Sequence, residues 1–239
     1  LEYDNGNFKE AMNRALTLGE WTTFPERRIA SEQAGKLRGI GFANYIEITS
    51  GFPFEQTTIR VHSDKRVSVI IGTTSSGQGH ETSFAQCVSD WLNVPFETVE
   101  IITGDTDIVT EGGGSHSARS MRMAGIVMDR AIQEIITKGR KIAAYILEAS
   151  ETDIDYISGS FVIQGTDRSL NLFQTALEGE TGKNIPKQLA GPLEAMSSEL
   201  MQKPGFPYGA QVCEVEVDRE TGKVEVVNYT SVDDVGRAI

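Results

Sequence analysis

The feature that most constrains the fold is a long helical period behind a run of three glycines. After Gly112-Gly113-Gly114 the chain enters a helix that runs to about Ala149. Met121, Ala124, Met128, Ala131, Ile135, Ile142 and Ile146 recur every three or four residues, so one face of this helix belongs to a core. The methionines on that stripe read as packing side chains rather than a cofactor box.

The segments before the helix change period. Asn7–Leu18 carries Phe8, Met12, Ala15 and Leu16 at helical spacing, and a second helix is expected within Pro25–Lys36, with Pro25 near its start. Residues 38–49, 56–63 and 66–73 are rich in Ile, Val, Phe and Tyr, which predicts three strands in an antiparallel meander. A helix is expected over Glu81–Leu92, and a strand over Thr98–Thr103. A short strand at Phe161–Gln164 and a short helix at Leu170–Glu178 follow. Residues 179–205 hold Pro186, Pro192 and Pro204 and little pattern, so they read as a long surface connection. Gly209–Asp218 and Lys223–Val232 alternate around Arg219-Glu220-Thr221-Gly222, the turn of a β-hairpin. The expected class is α/β in the mixed, α+β sense, with largely antiparallel sheets and packed helices. Two lobes are expected, residues 1–205 and a hairpin over 206–239 that returns to a neighbouring lobe.

Charge narrows the partners. A formal net charge of −12 argues against nucleic acid and against anionic membranes, since both reward excess Lys and Arg. No apolar run approaches the ~20 residues of a membrane span, so no membrane insertion is expected. The two cysteines, Cys87 and Cys213, form no CxxC pair, which favours a reducing compartment and a cytoplasmic location. Cys87 falls near the apolar stripe of its helix and reads as a core thiol. His62, His80 and His116 show no ligand spacing, so no protein-ligated metal is expected. The chain begins at Leu1 and stops at Arg237-Ala238-Ile239 in a strand-to-loop junction, the pattern of a piece of a longer polypeptide.

Two loops could carry chemistry. Gly72-Thr-Thr-Ser-Ser-Gly77-Gln78-Gly79 leaves a strand and opens a helix, where free N–H groups and the helix dipole favour an anion. Its Gly-x-x-x-x-Gly spacing imitates a nucleotide P-loop, but Gln78 stands where Lys is needed, and no hydroxyl follows it. The second loop, Gly112 to Ser120, also opens a helix and carries Ser115, Ser117, Arg119 and Ser120, groups that suit a phosphate or pyrophosphate. Taken residue by residue, each loop is equally an ordinary turn or a binding loop, and the pair together favours one shared anionic ligand.

The order of motifs resembles a known family. Gly77-Gln78-Gly79-His80-Glu81-Thr82, Ala85-Gln86, Val94-Pro95, Val99-Glu100 and Gly104-Asp105-Thr106 follow one another as in the large subunit of the xanthine dehydrogenase, aldehyde oxidase and carbon monoxide dehydrogenase family. So do Ser117-Ala118-Arg119-Ser120 with Ala124-Gly125, the hairpin Glu214–Asp218 to Thr221–Val224, and Asp234-Val235-Gly236-Arg237-Ala238-Ile239. The likeness covers essentially the whole chain and is nearer the bacterial carbon monoxide dehydrogenase-like and aldehyde oxidase-like members than animal xanthine dehydrogenase.

This resemblance implies a piece of a larger molybdopterin-binding domain. It implies a molybdenum–pterin cofactor, dinucleotide form among the options, with iron–sulfur clusters and FAD on partner subunits or domains, and an oligomer at full length. It places Gly77, Gln78, Gly79, His80 and Glu81 beside the metal centre, with Gln78 as the catalytic residue donating to a molybdenum oxo group. It places Ser117, Ala118, Arg119 and Ser120 against the pterin. The implied reaction hydroxylates or oxidises a small aldehyde, heterocycle or carbon monoxide-like substrate with oxygen from water. The family's general-base Glu would fall beyond Ile239, so the 239 residues alone are expected to be inactive. The alternative is a non-enzymatic scaffold or binding homologue that has lost the cofactor.

Overall fold

The computed structural model describes residues 2–239. In chain order the elements are α1 (Phe8–Leu18), α2 (Phe24–Gln33), β1 (Lys36–Ile46), β2 (Phe54–Val61), β3 (Val67–Ile71), α3 (His80–Leu92), β4 (Val99–Ile102), α4 (Ser120–Ile146), β5 (Ile154–Ile157), β6 (Ser160–Ile163), β7 (Ser169–Asn171), α5 (Leu172–Thr181), β8 (Leu193–Leu200), β9 (Tyr208–Asp218) and β10 (Val224–Asp234). They form two units, one of residues 2–49 with 204–238, the other of residues 50–203. The chain therefore passes between units twice, at 49/50 and at 203/204, where the sequence suggests a single boundary near 205.

The first unit is a three-stranded antiparallel sheet in the order β1-β9-β10, with α1 and α2 on one face. Tyr208, Ala210, Val212 and Glu214 share the buried side of β9, whereas the alternating valines that mark the hairpin in the sequence, Val215, Val217, Val224 and Val226, lie on the other face, with Val224 and Val226 exposed. Ala15 of α1 packs on Ala210 and Val212. Glu214 is buried there as a carboxylate, with Arg27 Nη2 at 3.0 Å and Arg38 Nε at 2.7 Å. Burial pushes its carboxyl pKa upward, but the hydrogen bonds from Arg27 and Arg38 outweigh that and hold it below the usual carboxylate range. The Lys36 ammonium at 2.8 Å and the Ser31 hydroxyl lower Glu216 as well.

A folded-state pKa below the unfolded one gives stability that is complete above the unfolded value and is lost as pH falls through the folded value. Stability of this unit is therefore expected to be flat above about pH 5 and to fall progressively once the pH passes below the ordinary glutamate value of about 4.3. Glu214→Gln should flatten that acid limb. Trp21, which meets Phe42 edge-on at 6.2 Å within this unit, reports it in a Trp91→Phe background. An acid limb unchanged by Glu214→Gln would contradict the assignment.

The second unit holds a four-stranded sheet, β4-β3-β2-β8, and a small antiparallel sheet, β5-β6-β7. β2 pairs antiparallel with β3 and β8, while β3 and β4 run parallel, joined through α3. Along β2, Glu55, Thr57, Ile59 and Val61 point inward. Ala124, Val127, Met128, Ala131, Ile132 and Ile135 of α4 join Ile59, Val61, Val67 and Val69 in one core. The Met128 packing and the buried Cys87 agree with the sequence reading. α4 also touches β6, where Phe161 packs so close to Gly139 that an added Cβ would lie 2.3 Å from its ring.

Two strand expectations change. β1 does not join a meander with β2 and β3; it pairs with β9, far away in sequence. Residues 179–205 are not an unstructured connection, because Leu193–Leu200 forms β8 against β2. Only Leu193 and Ala195 of that strand enter the core, and the remaining positions are Glu, Met, Ser and an exposed Leu200, too weak an alternation to announce a strand.

Candidate functional site

The first glycine loop runs from the end of β3 into α3. Gly77 and Gly79 hold φ of 109° and 74°, backbone that favours glycine. A Cβ built on either meets nothing within 4 Å, so both face open space. Ser75 Oγ accepts from the N–H of Gly77 (3.3 Å) and Gly79 (3.1 Å). The Ser76 N–H donates to Gln78 Oε1 at 2.5 Å. That bond fixes the orientation of the amide, since only the carbonyl side can accept, and it leaves the exposed Gln78 NH2 group as a donor.

The second loop enters α4 through two consecutive left-handed residues that are not glycine, Ser117 (φ 49°) and Ala118 (φ 53°). Each costs about 1–2 kcal/mol, strain that persists only where neighbours impose it. The constraint is visible: Ser117 O accepts from the Ser50 N–H at 3.0 Å, and His116 O accepts from the Arg119 N–H at 3.1 Å.

The two loops meet. Gly72 and Gly112 touch backbone to backbone, and a Cβ on Gly72 would fall 2.2 Å from Gly112 Cα. Thr73 Oγ1 lies 3.1 Å from Gly114 O and 2.6 Å from Ser120 Oγ. Ser115 Oγ lies 2.8 Å from Ser120 Oγ and 3.4 Å from His80 Nε2. The first turns of α3 and α4 thus open from one locus, each with unshared N–H groups of the kind that hold anions.

Of the residues that the sequence puts at the site, Gly77, Gln78, Gly79, Glu81, Ser117 and Ala118 are exposed, while His80, Arg119 and Ser120 are buried. Arg119 departs from the expectation. Its guanidinium is wholly buried, paired with Glu55 at 3.0 Å and donating to the carbonyls of Phe52, Phe54 and Gly114 at 2.6–2.7 Å. It offers nothing to a ligand; it ties the segment 52–55 to the second glycine loop. Glu55, not singled out from the sequence, completes the clamp by accepting from the N–H of Gly72 at 3.2 Å and of Gly113 at 3.4 Å. Its signal was a Glu in phase with the inward residues Thr57, Ile59 and Val61, a position that demands a buried partner.

Among the described residues, no group of three or more His, Cys, Asp and Glu is placed to hold a metal ion. No helix among them is long and apolar enough to cross a membrane.

The chain is similar to known proteins over nearly all its length. The family model of the molybdopterin cofactor-binding domain matches residues 14–239. The carbon monoxide dehydrogenase large chain of Hydrogenophaga pseudoflava is 29% identical, across 100% of this chain and 31% of its own. The 6-hydroxypseudooxynicotine dehydrogenase complex subunit gamma of Paenarthrobacter nicotinovorans is 28% identical, across 99% and 30%. The solved CO dehydrogenase from Oligotropha carboxidovorans superimposes with a TM-score of 0.83 at 28% identity, covering 98% of this chain and 31% of that one. This chain thus spans about a third of the length of the relatives it matches.

Proposed function

Since the chain belongs to the molybdopterin cofactor-binding domain family, we propose that its two glycine loops form part of the cofactor cradle of a molybdenum hydroxylase large subunit. The observation that supports this is their convergence: two helix N-termini and two open glycine edges, fixed at one locus by the buried Arg119–Glu55 clamp. The donor set suits the group. Backbone N–H groups and the Gln78 amide are neutral donors, matched to phosphate and pterin oxygens, and they need no protein–metal bond.

The cofactor, when bound, would supply the redox centre at which a substrate carbon is hydroxylated with oxygen from water. This chain's residues bind and orient it. Gly77 and Gly79 would admit it to backbone contact, the Gln78 amide would donate an N–H to one of its oxygens, and Ser117 and Ala118 would present their loop backbone to it. Arg119 and Ser120 hold that loop from behind. Iron–sulfur and flavin groups on partner subunits or domains would carry electrons away. The substrate class is a small aldehyde, heterocycle or carbon monoxide-like molecule, and the activity belongs to the longer polypeptide.

The test is Gln78→Ala in the full-length protein. Loss of one preorganised donor should lower kcat by about 10²- to 10³-fold, with folding unchanged because Gln78 is exposed. Wild-type turnover by that variant would favour a scaffold that has lost the cofactor. Turnover by the 239-residue chain alone would also contradict the reading.

A further inference from the structure

His80 is the residue of the site whose chemistry is least satisfied. It begins α3, it is 5% exposed, and its ring stacks on Phe84 at 4.7 Å. Nδ1 is buried with no hydrogen-bond partner, while Nε2 lies 3.4 Å from Ser115 Oγ. In a neutral imidazole one ring nitrogen carries the proton, and the neighbours decide which. A protonated Nδ1 would bury a donor without an acceptor, at the end of a helix that already carries the positive dipole. An unshared lone pair in that position is the cheaper state, so the proton goes to Nε2.

That choice propagates. With Nε2–H donating, Ser115 Oγ accepts and its own proton turns to Ser120 Oγ at 2.8 Å. At the far end the Thr73 hydroxyl donates to Ser120 Oγ at 2.6 Å and faces Gly114 O at 3.1 Å. Ser120 Oγ thus accepts from Ser115 on one side and from Thr73 on the other, and joins His80 and the two loops in one cluster.

We propose that His80 is a positioning residue: as the Nε2–H tautomer it donates to Ser115 and ties the start of α3 to the hydroxyl cluster that joins the two glycine loops. The tautomer and the tie stand apart from the cofactor-cradle reading.

The experiment uses the 239-residue chain with 15N-labelled histidine at mildly alkaline pH, where an ordinary imidazole is neutral. Only three histidines are present, and the His80 ring signals are those missing from His80→Gln. Long-range 1H–15N correlation should show His80 protonated at Nε2 and bare at Nδ1. Amides of residues 112–119 should exchange about tenfold faster in His80→Ala and at the wild-type rate in His80→Gln, whose amide N–H replaces Nε2–H. An Nδ1–H tautomer, a mixture, or identical exchange in all three proteins overturns the proposal. Pterin content of the full-length wild type reads the cradle separately: an empty but folded protein removes the cradle and leaves the tautomer result standing.

Discussion

Glu55→Ala is expected to destabilise the unit of residues 50–203 by about 3–5 kcal/mol, the usual consequence of removing one member of a buried ion pair. Both side chains are fully buried, so the Arg119 charge would remain in the interior with only carbonyls to solvate it. The N–H groups of Gly72 and Gly113 would lose their acceptor in the same step. Glu55→Gln keeps the shape and an acceptor but not the charge, and should fall between wild type and Glu55→Ala. Urea unfolding followed by Trp91 fluorescence in a Trp21→Phe background isolates this unit, since the chain has two tryptophans and they lie in different units. A loss below about 1 kcal/mol would mean that the pair is solvated and the clamp is not a clamp.

Gly72→Ala should be the second large effect, about 1–3 kcal/mol or more, for a different reason. Gly72 does not need a left-handed backbone; it needs the absence of a side chain. A Cβ there would lie 2.2 Å from Gly112 Cα and 2.7 Å from Glu111 O. Those are backbone atoms that no rotamer change can move, so the second loop must shift as a body. The variant should therefore lower pterin content in the full-length protein as well as stability. Gly125→Ala is the control: in α4, with nothing within 4 Å of the new Cβ, it should gain up to about 1 kcal/mol of helix propensity. Equal behaviour of the two alanines would show that the loops do not meet as described.

What the sequence made legible was local. The stripe on α4, the apolar face of α3 and the β9–β10 hairpin each carry their period within a short window, and each is present. The partner of β1 was not legible, because Lys36–Ile46 alternates equally well beside β2 or beside β9, and pairing is a non-local choice. β8 escaped notice because it buries only Leu193 and Ala195 and shows polar residues, Met196 and an exposed Leu200 elsewhere. At the site, both glycine loops could be read, because glycine clusters between a strand and a helix have few other uses. The division of labour among Ser117–Ser120 could not. An arginine in a serine-rich loop looks like an anion ligand, and only burial shows that Arg119 faces the interior while Ser117 stays outside.

The measurement closest to the central claim is the pterin and molybdenum content, per chain, of the full-length protein purified from a host that makes the cofactor. Gly72→Ala and a control hydroxylase would be loaded in the same host. The account predicts about one pterin and one molybdenum per wild-type chain, bound without covalent attachment, and a clear loss of both in Gly72→Ala. A well-folded wild-type protein carrying neither, beside a loaded control, would contradict it and leave the two loops as structural turns.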